Sequence, residues 1–166
     1  RAAALAKLAV QPADTLWDVG AGTGSVSVEL ALAAPRGHVY AVECDPEACG
    51  LIRQNRETFH ACNLTLVEGR APAALADLPA PDAVFIGGTK GGMEAVLDEV
   101  LGKNPNARIC ISAIALETLG AAIAALTARG LTAEVTQIAV SRTKPAGRLH
   151  LLMANNPIFL ITGTRK

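Results

Sequence analysis

Short runs rich in apolar and β-branched residues alternate with helical stretches along the first 130 residues of the chain. The runs predict five strands, at Thr15–Val19, His38–Glu43, Leu64–Glu68, Asp82–Ile86 and Arg108–Ser112. Helical patterns follow them, at Ser25–Ala34, Pro46–Phe59, Ala71–Ala76, Met93–Leu101 and Leu116–Arg129. This alternation is typical of a parallel sheet with helices on both of its faces.

After Gly130 the pattern changes, because "LTAEVTQIAVSR" and "PIFLITGT" predict two strands with no helix between them. Two consecutive strands without a crossover helix form a hairpin, so at least one of them must run antiparallel. The sequence therefore predicts a Rossmann-like α/β fold: an open, mostly parallel sheet of seven strands with an antiparallel strand at one edge. Such sheets bind ligands at the carboxyl ends of their strands, near the point where the strand order reverses.

The composition is that of one globular domain, which we expect to span residues 1–166. The chain carries 15 basic and 15 acidic side chains and 3% aromatic residues, which argues against a nucleic-acid partner. The stretch Ile109 to Ala128 is nearly uncharged, but its strand-like first half and alanine-rich second half predict a buried strand and a helix. We therefore expect no membrane association.

The four cysteines are Cys44, Cys49, Cys62 and Cys110, and their spacing contains no Cys-x-x-Cys pair. The three histidines do not complete a zinc pattern either. We therefore expect reduced thiols, no metal site and a cytoplasmic location.

The segment "LWDVGAGTG" places Gly20, Gly22 and Gly24 directly after the first predicted strand, with Asp18 two residues upstream. The dinucleotide fingerprint G-x-G-x-x-G/A fails in both registers, and no Lys-Ser or Lys-Thr follows the glycines as in a phosphate loop. Asp18 would repel a pyrophosphate, whereas it would attract the ammonium and sulfonium of S-adenosylmethionine. Glu43 ends the second strand, where its carboxylate can accept hydrogen bonds from ribose hydroxyls. The pattern favours a class I methyltransferase with S-adenosylmethionine as its cofactor.

Two later turns extend this site. In "VEGRAP", Arg70 and Ala71 offer backbone groups to the edge of an adenine, and in "DAVFIGGTKGG" Gly87 and Gly88 allow a ligand to come close. The predicted cofactor-binding residues are Asp18, Gly20, Gly22, Gly24, Glu43, Cys44, Gly69, Arg70, Ala71 and Gly87.

Several segments resemble, in order and spacing, the decarboxylating precorrin methyltransferases of cobalamin biosynthesis: "LWDVGAGTGSVSVELA", "AVECDPEA", "PDAVFIGGTKGG", "AIALETL" and "NNPIFLITG". The resemblance covers nearly the whole chain and is to the C-terminal domain of the two-domain precorrin-6Y C(5,15)-methyltransferases. It implies methyl transfer from S-adenosylmethionine to carbon 15 of a precorrin, with loss of carbon dioxide from the acetate on carbon 12. The resemblance to the two-domain form favours a ring without cobalt.

The same resemblance implies partners for the domain. An N-terminal domain would methylate carbon 5 in the full-length protein, and the helical start "RAAALAKLAV", without an initiator methionine, fits a domain cut from such a longer protein. Stand-alone relatives form tetramers, so we expect a homo-oligomer.

A precorrin carries many carboxylates, so cationic groups should surround it. The predicted substrate-binding residues, from "SRTKPAGRLH" and the turn after the fourth strand, are Lys90, Arg142, Lys144, Arg148 and His150. The predicted catalytic residues are Gly87 and Gly88, which allow close approach, and Glu117, which follows the fifth strand. The nucleophile would be a meso carbon of the substrate itself, so the main task of the protein would be alignment.

Three other functions remain open on the residues alone. Another small-molecule methyltransferase would share the glycine loop, because a fold does not determine a substrate. An NAD-dependent oxidoreductase is disfavoured by Asp18 and by the failed fingerprint. A non-catalytic tetrapyrrole carrier would keep a cofactor site without the reaction.

Overall fold

The computed structural model describes residues 1–165 of the chain. The five predicted strands before residue 130 are present with small shifts at their ends: β1 (Thr15–Val19), β2 (His38–Glu43), β3 (Leu64–Glu68), β4 (Ala83–Ile86) and β5 (Arg108–Ala113). The α-helices are α1 (Ala2–Leu8), α2 (Ser25–Ala33), α3 (Pro46–Thr58), α4 (Met93–Lys103) and α5 (Leu116–Ala128), and Ala73–Leu75 forms a short 3₁₀ turn. The stretch considered as a membrane span is thus a strand and a helix, as predicted.

The later strands are β6 (Thr132–Ile138), β7 (Ser141–Ala146), β8 (Leu149–Ala154) and β9 (Ile158–Thr164). Seven of the strands form one sheet in the order β3-β2-β1-β4-β5-β9-β6. β1 pairs in parallel with both β2 and β4, so the strand order reverses at β1. The carboxyl ends of these central strands are therefore where a ligand is expected.

The mostly parallel, seven-stranded sheet is confirmed, but its antiparallel strand lies one position inside the edge. β9 runs antiparallel to both β5 and β6, and Ile161 pairs with Ile111 on one side and with Val135 on the other. The connection from β5 through α5 to β6 leaves room for one strand, and β9 fills it. The edge strand is β6, which is parallel to β5.

Apolar side chains pack against both faces of the sheet, as β1 shows. Trp17 belongs to the same core cluster as Leu97 of α4 and Leu126 of α5. Leu16 belongs to the other cluster, with Leu8 of α1 and Leu30 of α2 on the opposite face of the sheet. Neighbouring residues of a strand point to opposite faces, so one strand contributes to both cores. Helices on both faces, as predicted, are confirmed. Within residues 1–165, no helix is both long and apolar enough to cross a membrane.

A separate hairpin of β7 and β8 departs from the sequence-based expectation. The pattern predicts one long strand up to Arg142 followed by a loop, but residues 141–154 form two antiparallel strands joined at Gly147 and Arg148. Every residue of both strands is exposed. Pro145 and the surrounding charges are typical of a loop, and proline is tolerated in β7 because β8 is its only partner among the described strands.

Candidate active site

The glycine loop after β1 has a different requirement at each of its glycines. All three have left-handed backbone, with φ of +71° at Gly20, +55° at Gly22 and +73° at Gly24. A Cβ on Gly20 would lie 2.2 Å from the carbonyl oxygen of Gly88, and a Cβ on Gly24 would lie 2.9 Å from Cγ1 of Ile52. A Cβ on Gly22 would meet no atom of residues 1–165 within 4 Å. At Gly20 and Gly24, therefore, both the backbone conformation and the close neighbouring atoms require glycine. At Gly22 only the conformation does, because the position faces open space.

Backbone hydrogen bonds hold this loop against the end of β2. The N–H groups of Gly20 and Ala21 both donate to the carbonyl oxygen of Val42, at 2.9 and 3.1 Å. The N–H of Gly22 donates to Oε2 of Glu43 at 2.8 Å. The position of the loop is thus set by the neighbouring strand.

The carboxylate of Glu43 already accepts hydrogen bonds from three backbone N–H groups, including that of Gly22. Its Oε1 accepts hydrogen bonds from the N–H groups of Cys44 and Asp45, at 2.8 and 2.9 Å. Partial burial raises the pKa of Glu43, but the N–H groups of Asp45, Gly22 and Cys44 outweigh it and hold the pKa below its ordinary value. A carboxylate accepts about four hydrogen bonds, and three are already made. Accepting both hydroxyls of a ribose, as the sequence suggested, would require Gly22 or another donor to give way.

Asp18 lies beneath the glycine loop rather than in an open wall, since it is 1% exposed. Its Oδ2 accepts a hydrogen bond from Oγ of Ser27, at the start of α2. Its buried Oδ1 has no hydrogen-bond partner among the described residues. Burial raises the pKa of Asp18 to about 6, against the hydrogen bonds from Ser27 that lower it. An unpartnered buried carboxylate oxygen fits a ligand that brings a cationic N–H donor.

A first cavity of about 220 Å³ opens at the carboxyl ends of β1 to β4. Eight of its wall residues were predicted to act in the site, namely Gly20, Glu43, Cys44, Gly69, Arg70, Ala71, Gly88 and Lys90. Val19, Val42 and Thr89 complete the wall and were missed. The two valines are the last core residues before each turn, and only their place at a strand end could have indicated them.

A second cavity of about 360 Å³ lies beside the first, at the ends of β4 and β5. The two share Gly88, Thr89 and Lys90, so a molecule in one is next to a molecule in the other. Gly87 lies in the second wall, together with apolar side chains and the hydroxyl-bearing residues Ser112 and Thr118. Most of this wall was missed from the sequence, because residues such as Ile86, Ile114 and Met93 resemble ordinary core positions.

The structure does not bring all the predicted residues into these walls. Glu117 lies on the exposed first turn of α5, next to Thr118 of the second wall. The four predicted substrate cations of the hairpin region are exposed and line neither cavity: Arg142, Lys144, Arg148 and His150.

The chain is similar to a family of known proteins. Residues 1–165 match a family model described as precorrin methyltransferase domain. A probable cobalt-precorrin-6B C(15)-methyltransferase (decarboxylating) of Pyrobaculum calidifontis is 43% identical over 98% of this chain and 84% of the relative.

Two solved structures are also similar. A precorrin-6Y C5,15-methyltransferase from Geobacter metallireducens has a TM-score of 0.94 at 39% identity, covering 99% of this chain and 86% of that one. The C-terminal domain of precorrin-6Y C5,15-methyltransferase from Rhodobacter capsulatus has a TM-score of 0.84 at 37% identity, covering 99% and 87%. The predicted class I methyltransferase fold is thereby confirmed. The chain belongs to the precorrin methyltransferase domain family.

Proposed function

We propose that this domain transfers the methyl group of S-adenosylmethionine to carbon 15 of a precorrin and promotes loss of carbon dioxide from the acetate on carbon 12, in cobalamin biosynthesis. The observation that carries the proposal is the pair of joined cavities at the carboxyl ends of β1 to β5. The first cavity suits a cofactor, and the second lies next to it, where the substrate must be placed to receive the methyl group. The names of the relatives supply the reaction.

The first cavity, together with the buried Asp18 beneath the glycine loop, fits S-adenosylmethionine at three points. The unpartnered Oδ1 of Asp18 lies outside the cavity wall, beneath the glycine loop, and suits the ammonium of the methionine part. Glu43, in the wall, has one acceptor position left for a ribose hydroxyl. Arg70 and Ala71 would border the adenine through their backbone groups. A Cβ on Gly22 would meet no atom of residues 1–165 within 4 Å, so the loop backbone is open to a ligand at this position. When bound, S-adenosylmethionine supplies an electrophilic methyl group on a sulfonium.

The residues between the cavities would align the reactants. Gly87 and Gly88 have no side chain, and a Cβ on Gly88 would meet no atom of residues 1–165 within 4 Å, so the macrocycle can come close there. The attacking carbon is part of an electron-rich ring and needs no protein base. Orientation of this kind can supply roughly 7–11 kcal/mol of the barrier reduction.

Methylation would leave a positive charge on the macrocycle. In the decarboxylation, the electron pair of the broken carbon–carbon bond would neutralise that charge, and the side-chain carbon that lost carbon dioxide would then gain one proton. Ile86, Met93 and Ile114 give part of the second cavity an apolar surface, and an acetate carboxylate resting on that part would be released more readily as neutral carbon dioxide. Glu117, at the rim, is the candidate proton donor. Lys90, Arg142, Lys144, Arg148 and His150 are the proposed partners of the peripheral carboxylates.

Two measurements test the function. Calorimetry should show micromolar binding of S-adenosylmethionine and none of NAD; the reverse result would favour an oxidoreductase, and binding of neither would exclude a methyltransferase. Mass spectrometry of the macrocycle, offered with and without cobalt, should show one methyl gained and one carbon dioxide lost. Methyl gain alone would refute the decarboxylation, and cofactor binding without turnover of either ring would favour the carrier or another substrate.

We also propose that the β7–β8 hairpin joins copies of this chain into a homo-oligomer. Leu149 and Leu152, on opposite faces of β8, are 66% and 73% exposed. A lone two-stranded hairpin is only marginally stable in water, and within the described chain both of its long edges are free to pair with strands of a second copy.

Light scattering should give a multiple of the 17.1 kDa chain mass for the wild type. The double variant Leu149→Lys/Leu152→Lys should shift to smaller particles, whereas Leu32→Lys on α2 should not; a monomeric wild type would disprove the proposal.

Two expectations about the cellular context belong to the same proposal. The Rhodobacter capsulatus relative is a C-terminal domain, which supports an N-terminal carbon-5 methyltransferase partner for this one. The four free cysteines support a reducing compartment, such as the cytoplasm.

A further inference from the structure

Two large apolar side chains are exposed at the carboxyl end of β5. Ile114 is 65% exposed, and Leu116, the first residue of α5, is 70% exposed. Single exposed apolar residues are ordinary on protein surfaces. Two within three positions, at the edge of the sheet where ligands bind, indicate a surface that a ligand covers.

These side chains border the second cavity. Ile114 is part of its wall, and Leu116 stands in the chain between the wall residues Ala115 and Thr118. The wall continues inward through Ile86 and Met93, so the apolar surface extends from the rim toward the core.

The size of the cavity determines how a macrocycle can bind there. At about 360 Å³ it lies near the lower end of the range of about 300–1,000 Å³ that encloses drug-sized ligands. A tetrapyrrole with its acidic side chains is larger than such ligands. Much of its ring must therefore rest outside the cavity, on the surface that borders it.

A positive charge lies at the junction with the cofactor cavity. Lys90 lines both cavities, and its backbone is left-handed with φ of +47°. Its ammonium can bind a carboxylate at the periphery of a ring whose apolar face lies on Ile114.

We propose that Ile114 and Leu116 form an apolar platform on which one face of the precorrin lies, with Lys90 binding a peripheral carboxylate. This inference rests on the proposed function. The continuity of the second cavity with the cofactor cavity selects a small-molecule ring, rather than a protein partner, as the occupant of this surface.

The test measures the binding of uroporphyrin III, a planar tetrapyrrole with carboxylate arms, to protein saturated with S-adenosylhomocysteine. The change in absorbance of the porphyrin reports the binding. Ile114→Ser and Leu116→Ser should each weaken binding about tenfold, and Ile114→Leu should restore most of it. The Kd for S-adenosylmethionine and the midpoint of urea unfolding should stay at their wild-type values in all three variants. Leu32→Ser on α2 is the matched control, because Leu32 is 56% exposed and lies outside both cavity walls.

Each outcome separates the inference from the function beneath it. A wild type that binds S-adenosylmethionine but no tetrapyrrole would contradict the proposed substrate. Tetrapyrrole binding that is equal in the wild type and both serine variants would overturn the platform alone. A smaller particle by light scattering in the serine variants, with unchanged porphyrin binding, would instead assign the surface to a second copy of the chain.

Discussion

The N–H of Gly22 donates a 2.8 Å hydrogen bond to Oε2 of Glu43, which joins the middle of the glycine loop to the end of the neighbouring strand. The other oxygen of the same carboxylate receives the N–H groups of Cys44 and Asp45. One side chain thus fixes two loops of the first cavity and also presents its charge to that cavity.

Glu43→Gln should weaken S-adenosylmethionine binding by about tenfold to a hundredfold, because charge-assisted hydrogen bonds contribute about 1.5–3 kcal/mol each. Calorimetry measures the change directly. Glu68→Gln is the matched control: Glu68 pairs with Glu43 in register on β3, but it lies outside the first cavity. Equal affinities in the two variants would contradict a specific role for Glu43.

Gly20→Ala should destabilise the fold and abolish cofactor binding. The added Cβ would lie 2.2 Å from the backbone oxygen of Gly88, and φ of +71° already disfavours alanine. Urea unfolding followed by the fluorescence of Trp17, the one tryptophan of the chain, gives the change in free energy. Gly102→Ala should instead stabilise by about 0.5–1 kcal/mol, because Gly102 lies in α4 and an added Cβ there would meet no atom of residues 1–165 within 4 Å.

Asp18 should make the domain less stable as the pH rises. Its folded pKa of about 6 exceeds the ordinary 3.8, so the folded state binds the proton more tightly than the unfolded state does. The stabilisation is complete below about pH 4 and is lost as the pH rises through 6, by at most about 3 kcal/mol. Asp18→Asn should remove this pH dependence in urea unfolding, whereas the exposed Asp77→Asn should keep it. If the stability of Asp18→Asn changed with pH as that of the wild type does, the pH dependence would not come from Asp18.

Binding of S-adenosylmethionine should depend on pH in the opposite sense. Ionisation of Asp18 provides the charge that attracts the ammonium, so affinity should increase from pH 5 to pH 7, around the pKa of about 6. Asp18→Asn should bind more weakly and nearly independently of pH over this range. Affinity that falls as the pH rises would show that the ammonium binds elsewhere.

The cysteines provide a footprint of the first cavity. Cys44 lines that cavity and Cys62 is exposed elsewhere, so both should react with a thiol reagent. Burial raises the pKa of Cys49, and it raises that of Cys110 to about 12, so both should react slowly. S-adenosylmethionine should protect one thiol, identified as Cys44 by its absence in Cys44→Ser. Protection of Cys62, or of neither residue, would place the cofactor outside this cavity.

The sequence predicted those site residues whose position follows from the residues next to them in the chain. Gly20, Glu43 and Arg70 follow directly from strand ends and turns, and they lie together in one wall because parallel strands end at one edge of the sheet. Ile114 and Met93 gave no such signal, since an apolar residue beside a strand resembles a core residue until the cavity is seen.

Long-range placement was harder to predict. The strand character of Ile158–Thr164 is local, but its insertion between β5 and β6 depends on where those two strands lie in the sheet, which no pattern within the segment shows. The hairpin at Ser141–Ala146 and Leu149–Ala154 was missed because its exposed, charged first strand lacks the hydrophobic alternation that marks a half-buried strand.

The interior position of β9 has a consequence for biogenesis. The ribosome makes this strand after all the others, although its neighbours in the sheet are β5 and β6. Until Ile158–Thr164 emerges, both neighbours present unpaired edges that invite pairing with other chains. A nascent chain halted before Ile158 would thus lack an inner strand rather than an outer one, and the β5 end that borders the second cavity would be unsupported.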